Sequence, residues 1–134
     1  MSDIEDPKAS PEPENPRPPR GATQVAAPAV DHCHALLLWM IPQIDKFPRQ
    51  RRFTLGERLE TEILAILALL IEAAYQRERT QPLRAANLRL AVCRHLWRLA
   101  MELRAVSFKS YEYGAREMTD LGRQIGGWLK AAPK

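Results

Sequence analysis

A chain of 134 residues has room for a single domain, and its two cysteines, Cys33 and Cys93, are too few for a disulfide framework. The longest apolar runs, ALLLWMI at 35–41 and ILAILALLI at 63–71, fall short of the ~18–20 residues of a membrane span, and no basic stretch leads into an apolar core at the start, so the expectation is a soluble, cytoplasmic protein without membrane contact. The net charge of +4 hides an uneven distribution: residues 1–28 carry five acids and three bases, whereas the other 106 residues carry 17 bases, mostly arginine, against 11 acids.

Residues 1–28 also hold seven of the eleven prolines and almost no large apolar side chains. The segment EDPKASPEPENPRPPRGA cannot bury enough surface to offset the entropy of ordering it, so residues 1–28 read as a disordered tail with a polyproline-II bias and residues 29–134 as the folded domain.

Every later segment reads as helix. The first runs from about Val30 to Lys46, with Asp31 placed where the helix dipole favours an acid, Pro42 expected to kink it or end its regular part, and Phe47-Pro48 closing it. His32-Cys33-His34 and Cys93-x-His95 lack the spacing of a zinc knuckle, and adjacent helical residues point apart, so neither metal nor cofactor is expected. The second helix has a capping-box pattern at Thr54 and Glu57, although a start one turn earlier is compatible with Arg51 and Arg52, and it runs to about Arg79. Within it ILAILALLI is apolar for two and a half turns, more than one buried stripe can use.

Thr80 is the expected N-cap of the third helix, with Pro82 in its first turn and an end near Val106. At 100° per residue, Leu88, Val92, Leu96, Leu99, Leu103 and Val106 fill one arc; Ala86, Leu90, Cys93, Trp97, Ala100 and Met101 fill a second; Arg84, Asn87, Arg94, His95, Arg98 and Glu102 form the polar remainder. Ser107 caps a fourth helix over Phe108 to Ala131, in which Gly122 and Gly126, four apart, are expected to let another backbone approach. Short connections make consecutive helices antiparallel, which gives an all-α, up-down four-helix bundle. Two helices with more apolar surface than a bundle buries point to a homo-oligomer, one face building the bundle and another meeting a second copy.

No phosphate loop, HExxH pattern or nucleophile elbow is present, so no enzyme activity is expected. The arginines are the chemistry-bearing residues. Arg94 and Arg98 share a face with Asn87 and, near its edge, Arg84; Arg77 and Arg79 crowd one turn; Arg49, Arg51 and Arg52 precede the second helix. Like charges four apart weaken a helix slightly, so Arg94 and Arg98 point to a use outside it, unless Glu102 neutralises Arg98. The guanidinium fork matches phosphate, which points to nucleic acid, while charge alone fits a merely solvated basic surface equally well.

KFPRQRRFTLGERLE at 46–60, LLIEAAY at 69–75, LRAANLRLAVCRHLWRLAMEL at 83–103 and SYEYGAREMTDLGRQIGGWLK at 110–130 resemble, in this order, the accessory variability determinant (Avd) proteins of diversity-generating retroelements. The resemblance implies a homopentameric ring of four-helix bundles around a basic channel. It also implies partnership with the retroelement's reverse transcriptase and its template RNA, or the cDNA made from it, in mutagenic retrohoming, with no active site in the accessory protein itself. Mapped onto matching positions, it places phosphate contact on Arg84, Arg94 and Arg98, and beside them on Arg77, Arg79, Lys109 and Arg116. Four-helix proteins linked to ribosomal RNA intervening sequences share the fold, so the alternative is a structural homo-oligomer that holds a protein partner and ignores nucleic acid. The proline-rich tail departs from the compact family pattern.

Overall fold

The computed structural model describes residues 20–131, with side chains from Pro28 onward. Four helices make up the fold: α1, Arg20–Asp45; α2, Glu57–Tyr75; α3, Thr80–Glu102; and α4, Phe108–Ala131. There is no strand among the described residues. Each helix packs on two neighbours in the cyclic order α1, α2, α3, α4, which is a four-helix bundle. Neighbours run antiparallel: Trp39 and His32 of α1 meet Tyr113 and Gln124 of α4, while Trp97 and Leu90 of α3 meet Gly114 and Gly122 of α4.

α1 begins at Arg20, ten residues before the expected Val30, since the alanine-rich stretch ATQVAA contains no breaker; it runs through both Pro28 and Pro42 to Asp45. Residues 1–19, the rest of the expected tail, lie outside the described residues. Phe47 N–H then bonds the Ile44 carbonyl at 2.9 Å, and its ring turns into the core, 3% exposed.

The capping box at Thr54 is not formed. Helical bonding already starts at Pro48, whose carbonyl accepts from Arg51 and Arg52 at 2.8 and 3.0 Å, so no helix end exists at Thr54 to be capped. Its hydroxyl donates back to the carbonyls of Gln50 and Arg51 instead. One helical turn, Arg49–Arg51, leads into a π-helical turn, Arg52–Gly56, where Glu57 N–H reaches the Arg52 carbonyl five residues back. Here Gly56 is required: a Cβ would sit 2.8 Å from Ile44 Cγ2 and 3.3 Å from the Phe47 ring.

α2 stops at Tyr75, four residues ahead of the expected end, because Gln76 takes an extended conformation (φ −109°, ψ 149°). Thr80 is the first helical residue of α3 rather than its cap; Arg79 holds the cap position without a side-chain bond, and Pro82 lies in the first turn as expected. The end of α3 also comes earlier than Val106. Ala105 N–H bonds the Ala100 carbonyl and Arg104 N–H the Met101 carbonyl, the pair of bonds of a Schellman motif, with Arg104 in the left-handed region at φ 64°. Ser107 does cap α4, its hydroxyl accepting from Ser110 N–H at 3.1 Å.

The core joins Leu36, Met40 and Ile44 of α1, Leu59, Ile63, Ile66 and Leu70 of α2, Leu83, Leu90 and Trp97 of α3, and Met118, Leu121, Ile125 and Trp128 of α4. Burying each such side chain favours folding by about 1.5–3 kcal/mol. Trp97 is its hub, fully buried, flanked by Phe47 and Tyr111 rings at 6.5 Å and by the edge of Trp39 at 6.0 Å, and donating to the Tyr111 carbonyl at 2.9 Å. Gly114 makes this possible, since a Cβ there would lie 2.6 Å from Trp97 Nε1. The close approach expected at Gly122 and Gly126 is absent within the chain: Gly122 has ordinary contact room to Leu90, and Gly126 faces open space.

Cys33 and Cys93 are both buried thiols, pushed up by burial to about 12 from an ordinary 9.0. His34 and His95 are exposed on other faces of their helices, and His32 lies between Glu117 and Gln124. Among the described residues, no group of three or more His, Cys, Asp or Glu is placed to hold a metal ion. No described helix is long and apolar enough to cross a membrane.

Candidate nucleic-acid interface

Charge is sorted by helix. α2 carries Glu57, Glu60, Glu62 and Glu72 against the single base Arg58, while α3 carries Arg84, Arg89, Arg94 and Arg98 against Glu102. Among the described residues Glu62 is the one charged group in the core, 6% exposed, and it joins the two helices: Oε2 accepts from Arg58 Nε and Oε1 from Arg89, both at 2.9 Å. Burial by itself would raise its pKa, but the two guanidiniums outweigh that and hold the carboxyl below the ordinary range. Arg89 is thereby committed to the α2–α3 contact.

The other arginines of α3 point outward. Arg84, Arg94 and Arg98 are all exposed, spread over fourteen helical steps or about 21 Å of helix. Arg98 is paired with Glu102 at 3.0 Å, while Arg84 and Arg94 have no ion-pair partner among the described residues. On α4, Lys109 and Arg116 are also exposed. The contacts of Leu90 with Gly122 and of Trp97 with Gly114 bring Arg94 level with Arg116, and Arg94 lines a hollow together with Ala115 and Thr119 of α4. Arg77 and Arg79 lie apart in the α2–α3 connection, where Arg79 Nε donates to the Gln76 carbonyl at 3.2 Å and helps close the turn. Arg49, Arg51 and Arg52 lie on the lead-in to α2, with Arg52 donating to the Asp45 carbonyl and stacking 4.9 Å over Phe53.

Two members of this face were missed in the sequence. Lys109, Arg116, Arg123 and Lys130 recur every seven residues, and seven helical steps return to within about 20° of the same direction. All four are exposed, opposite the core residues Gly114, Met118, Leu121 and Ile125. The signal is this seven-residue period, which spreads the cations over about six turns of helix and leaves no local cluster in the sequence. Counting both helices, this outer side bears seven cations against Glu102, Glu112 and Asp120, of which Glu102 and Asp120 are paired with Arg98 and Arg123. Cations outnumber acids on this face by more than two to one, so it suits a polyanion whose charges repeat along a line.

A different side is apolar. Of the run at 63–71, Ile63, Ile66 and Leu70 are buried, but Leu64 and Ile71 stay 46% and 41% exposed. On α3 the arc of Ala86, Leu90, Cys93, Trp97 and Ala100 forms the core, whereas Leu88, Leu99 and Leu103 of the other arc face outward, Leu88 at 68% exposure. Leu38 of α1 and Tyr75 of α2 are exposed as well.

Fold and surface together define a helical bundle with a cationic and an apolar surface, which meet on α3 where Arg84 and Leu88 line one hollow. Within that class, the family model described as bAvd-like matches residues 29–132, and the chain belongs to this accessory variability determinant family. No curated protein matches the chain.

Proposed function

We propose that this protein is the accessory subunit of a diversity-generating retroelement. It binds the element's reverse transcriptase together with template RNA or cDNA, supports mutagenic reverse transcription and retrohoming, and contributes binding without an active site of its own. The observation that carries the nucleic-acid part is the cationic side of α3 and α4, where Arg84, Arg94, Arg98, Lys109, Arg116, Arg123 and Lys130 are all exposed. Family membership supports the polymerase partnership. The exposed leucines of α2 and α3 support self-assembly into a ring, the homopentamer being the form the family resemblance implies; such large unpartnered apolar side chains on two helices mark an interaction surface. A ring multiplies the cationic side by the number of copies.

The deciding experiment is binding of the purified protein to a structured RNA across a salt series, with Arg94→Glu/Arg116→Glu alongside. Binding that weakens steeply with salt and is lost in the double variant is the expected outcome, each lost phosphate contact lowering the log–log salt slope by ~1. Absence of binding at low salt would leave a scaffold for a protein partner, the reading favoured by the apolar surface alone. Mass by light scattering tests assembly separately, and a monomer at working concentration overturns it.

A further inference from the structure

We propose that residues 1–19 dock on the cationic side of α3 and α4 and so compete with nucleic acid for it; the competition rests on the nucleic-acid reading above, the docking does not. The family match begins at residue 29, which makes this segment an addition to the common domain. Its charge is opposite to the domain's: Asp3, Glu5, Asp6, Glu12 and Glu14 stand against Lys8 and Arg17. α2 is acidic and repels such a segment, and the basic lead-in at 49–52 lies past the opposite end of α1.

Place and length agree with charge. α1 starts at Arg20, and its antiparallel register on α4, set by His32 against Gln124 and Glu117 and by Trp39 against Tyr113, brings residue 20 level with the end of α4. The segment therefore enters the bundle beside Lys130, one end of the seven-residue stripe. Nineteen residues reach at most about 65 Å, and the 24 residues of α4 span about 36 Å, so every cation from Lys130 to Lys109 is within range. Tethering raises the effective concentration of the acidic segment at this side to the millimolar range, enough to populate contacts too weak to form between separate molecules. Because the contacts are exposed ion pairs, salt screens them.

The test uses the full chain, ¹⁵N-labelled. Amide resonances of residues 3–14 are compared at low and high NaCl, and between wild type and Arg116→Glu/Arg123→Glu, whose helicity is checked by circular dichroism. Shifts of those resonances in the same direction on adding salt and on reversing the face charges are expected; resonances indifferent to the face substitutions overturn the docking. In parallel, a full-length variant carrying Asp3→Asn, Glu5→Gln, Asp6→Asn, Glu12→Gln and Glu14→Gln is titrated with an RNA hairpin. Several-fold tighter binding than wild type at low salt, converging at high salt, supports competition, and equal affinity overturns it. If neither protein binds the hairpin, the competition falls with the nucleic-acid reading, while the resonance comparison still decides the docking.

Discussion

Glu62 is where a single side chain most directly sets the stability of the bundle. Its carboxylate is nearly buried and held by Arg58 and Arg89, so Glu62→Gln strips the charge while keeping the shape, and its single amide oxygen can serve only one guanidinium while the amide NH2 faces the other. A loss of about 1–3 kcal/mol at neutral pH is expected in urea unfolding. The native pKa is depressed, so this contribution is fully present above the unfolded carboxyl value, near 4.5, and disappears as pH falls through the lower native value. Wild type and Glu62→Gln should therefore converge in stability under acid conditions, and a gap that persists there would show that the carboxylate is not the cause. In the sequence Glu62 reads as an acid bordering an apolar run in the first turns of a helix. Its pairing with Arg89, 27 residues away, depends on how α2 and α3 align, which no local spacing encodes.

Two positions govern how the helices end and meet. Arg104 holds the left-handed C′ position after α3, a conformation that costs a side-chain-bearing residue roughly 1–2 kcal/mol and glycine little. Arg104→Gly should raise the thermal midpoint by an amount equivalent to about 1 kcal/mol, and an unchanged or lower midpoint would contradict the assignment of that cap. Gly114→Ala works in the other direction: the methyl meets the indole of Trp97 and disturbs its bond to the Tyr111 carbonyl, for an expected loss of about 1–3 kcal/mol, with altered tryptophan emission as the second readout. The helices themselves were legible from periodicity, and the start of α4 from its serine cap. The last residues of α1 and α4 were legible to within one position; the ends of α2 and α3 were not. The segment Gln76–Arg79 contains only helix-compatible side chains, and α3 closes on an arginine where glycine is the usual signal. Gly114 carries no mark separating it from Gly122, because the indole that needs its space comes from another helix.

At the scale of the molecule, the bundle architecture and the doubled apolar arcs were readable because both follow from the 3.6-residue period. Which arc of α3 turns inward was not readable, since both are equally apolar, and the structure settles it by the size of Trp97. The outward arc gives a prediction for the whole assembly. Leu88→Asp removes an exposed leucine, so helicity should be unchanged while the mass in light scattering falls; loss of helicity would mean that Leu88 belongs to the fold itself. The Trp97 hub also has a consequence for how the chain is made. Synthesis runs from the N-terminus, so Trp39 and Phe47 are in place when Trp97 emerges, while Tyr111 and Gly114 are not yet part of the chain. Until α4 is complete, the largest aromatic side chain of the nascent protein has half of its walls, and a three-helix intermediate exposes it together with the outward leucines. α4, made after the other three helices, is thus the one that seals the bundle, and a stalled or truncated product lacking it is left with its stickiest surface uncovered.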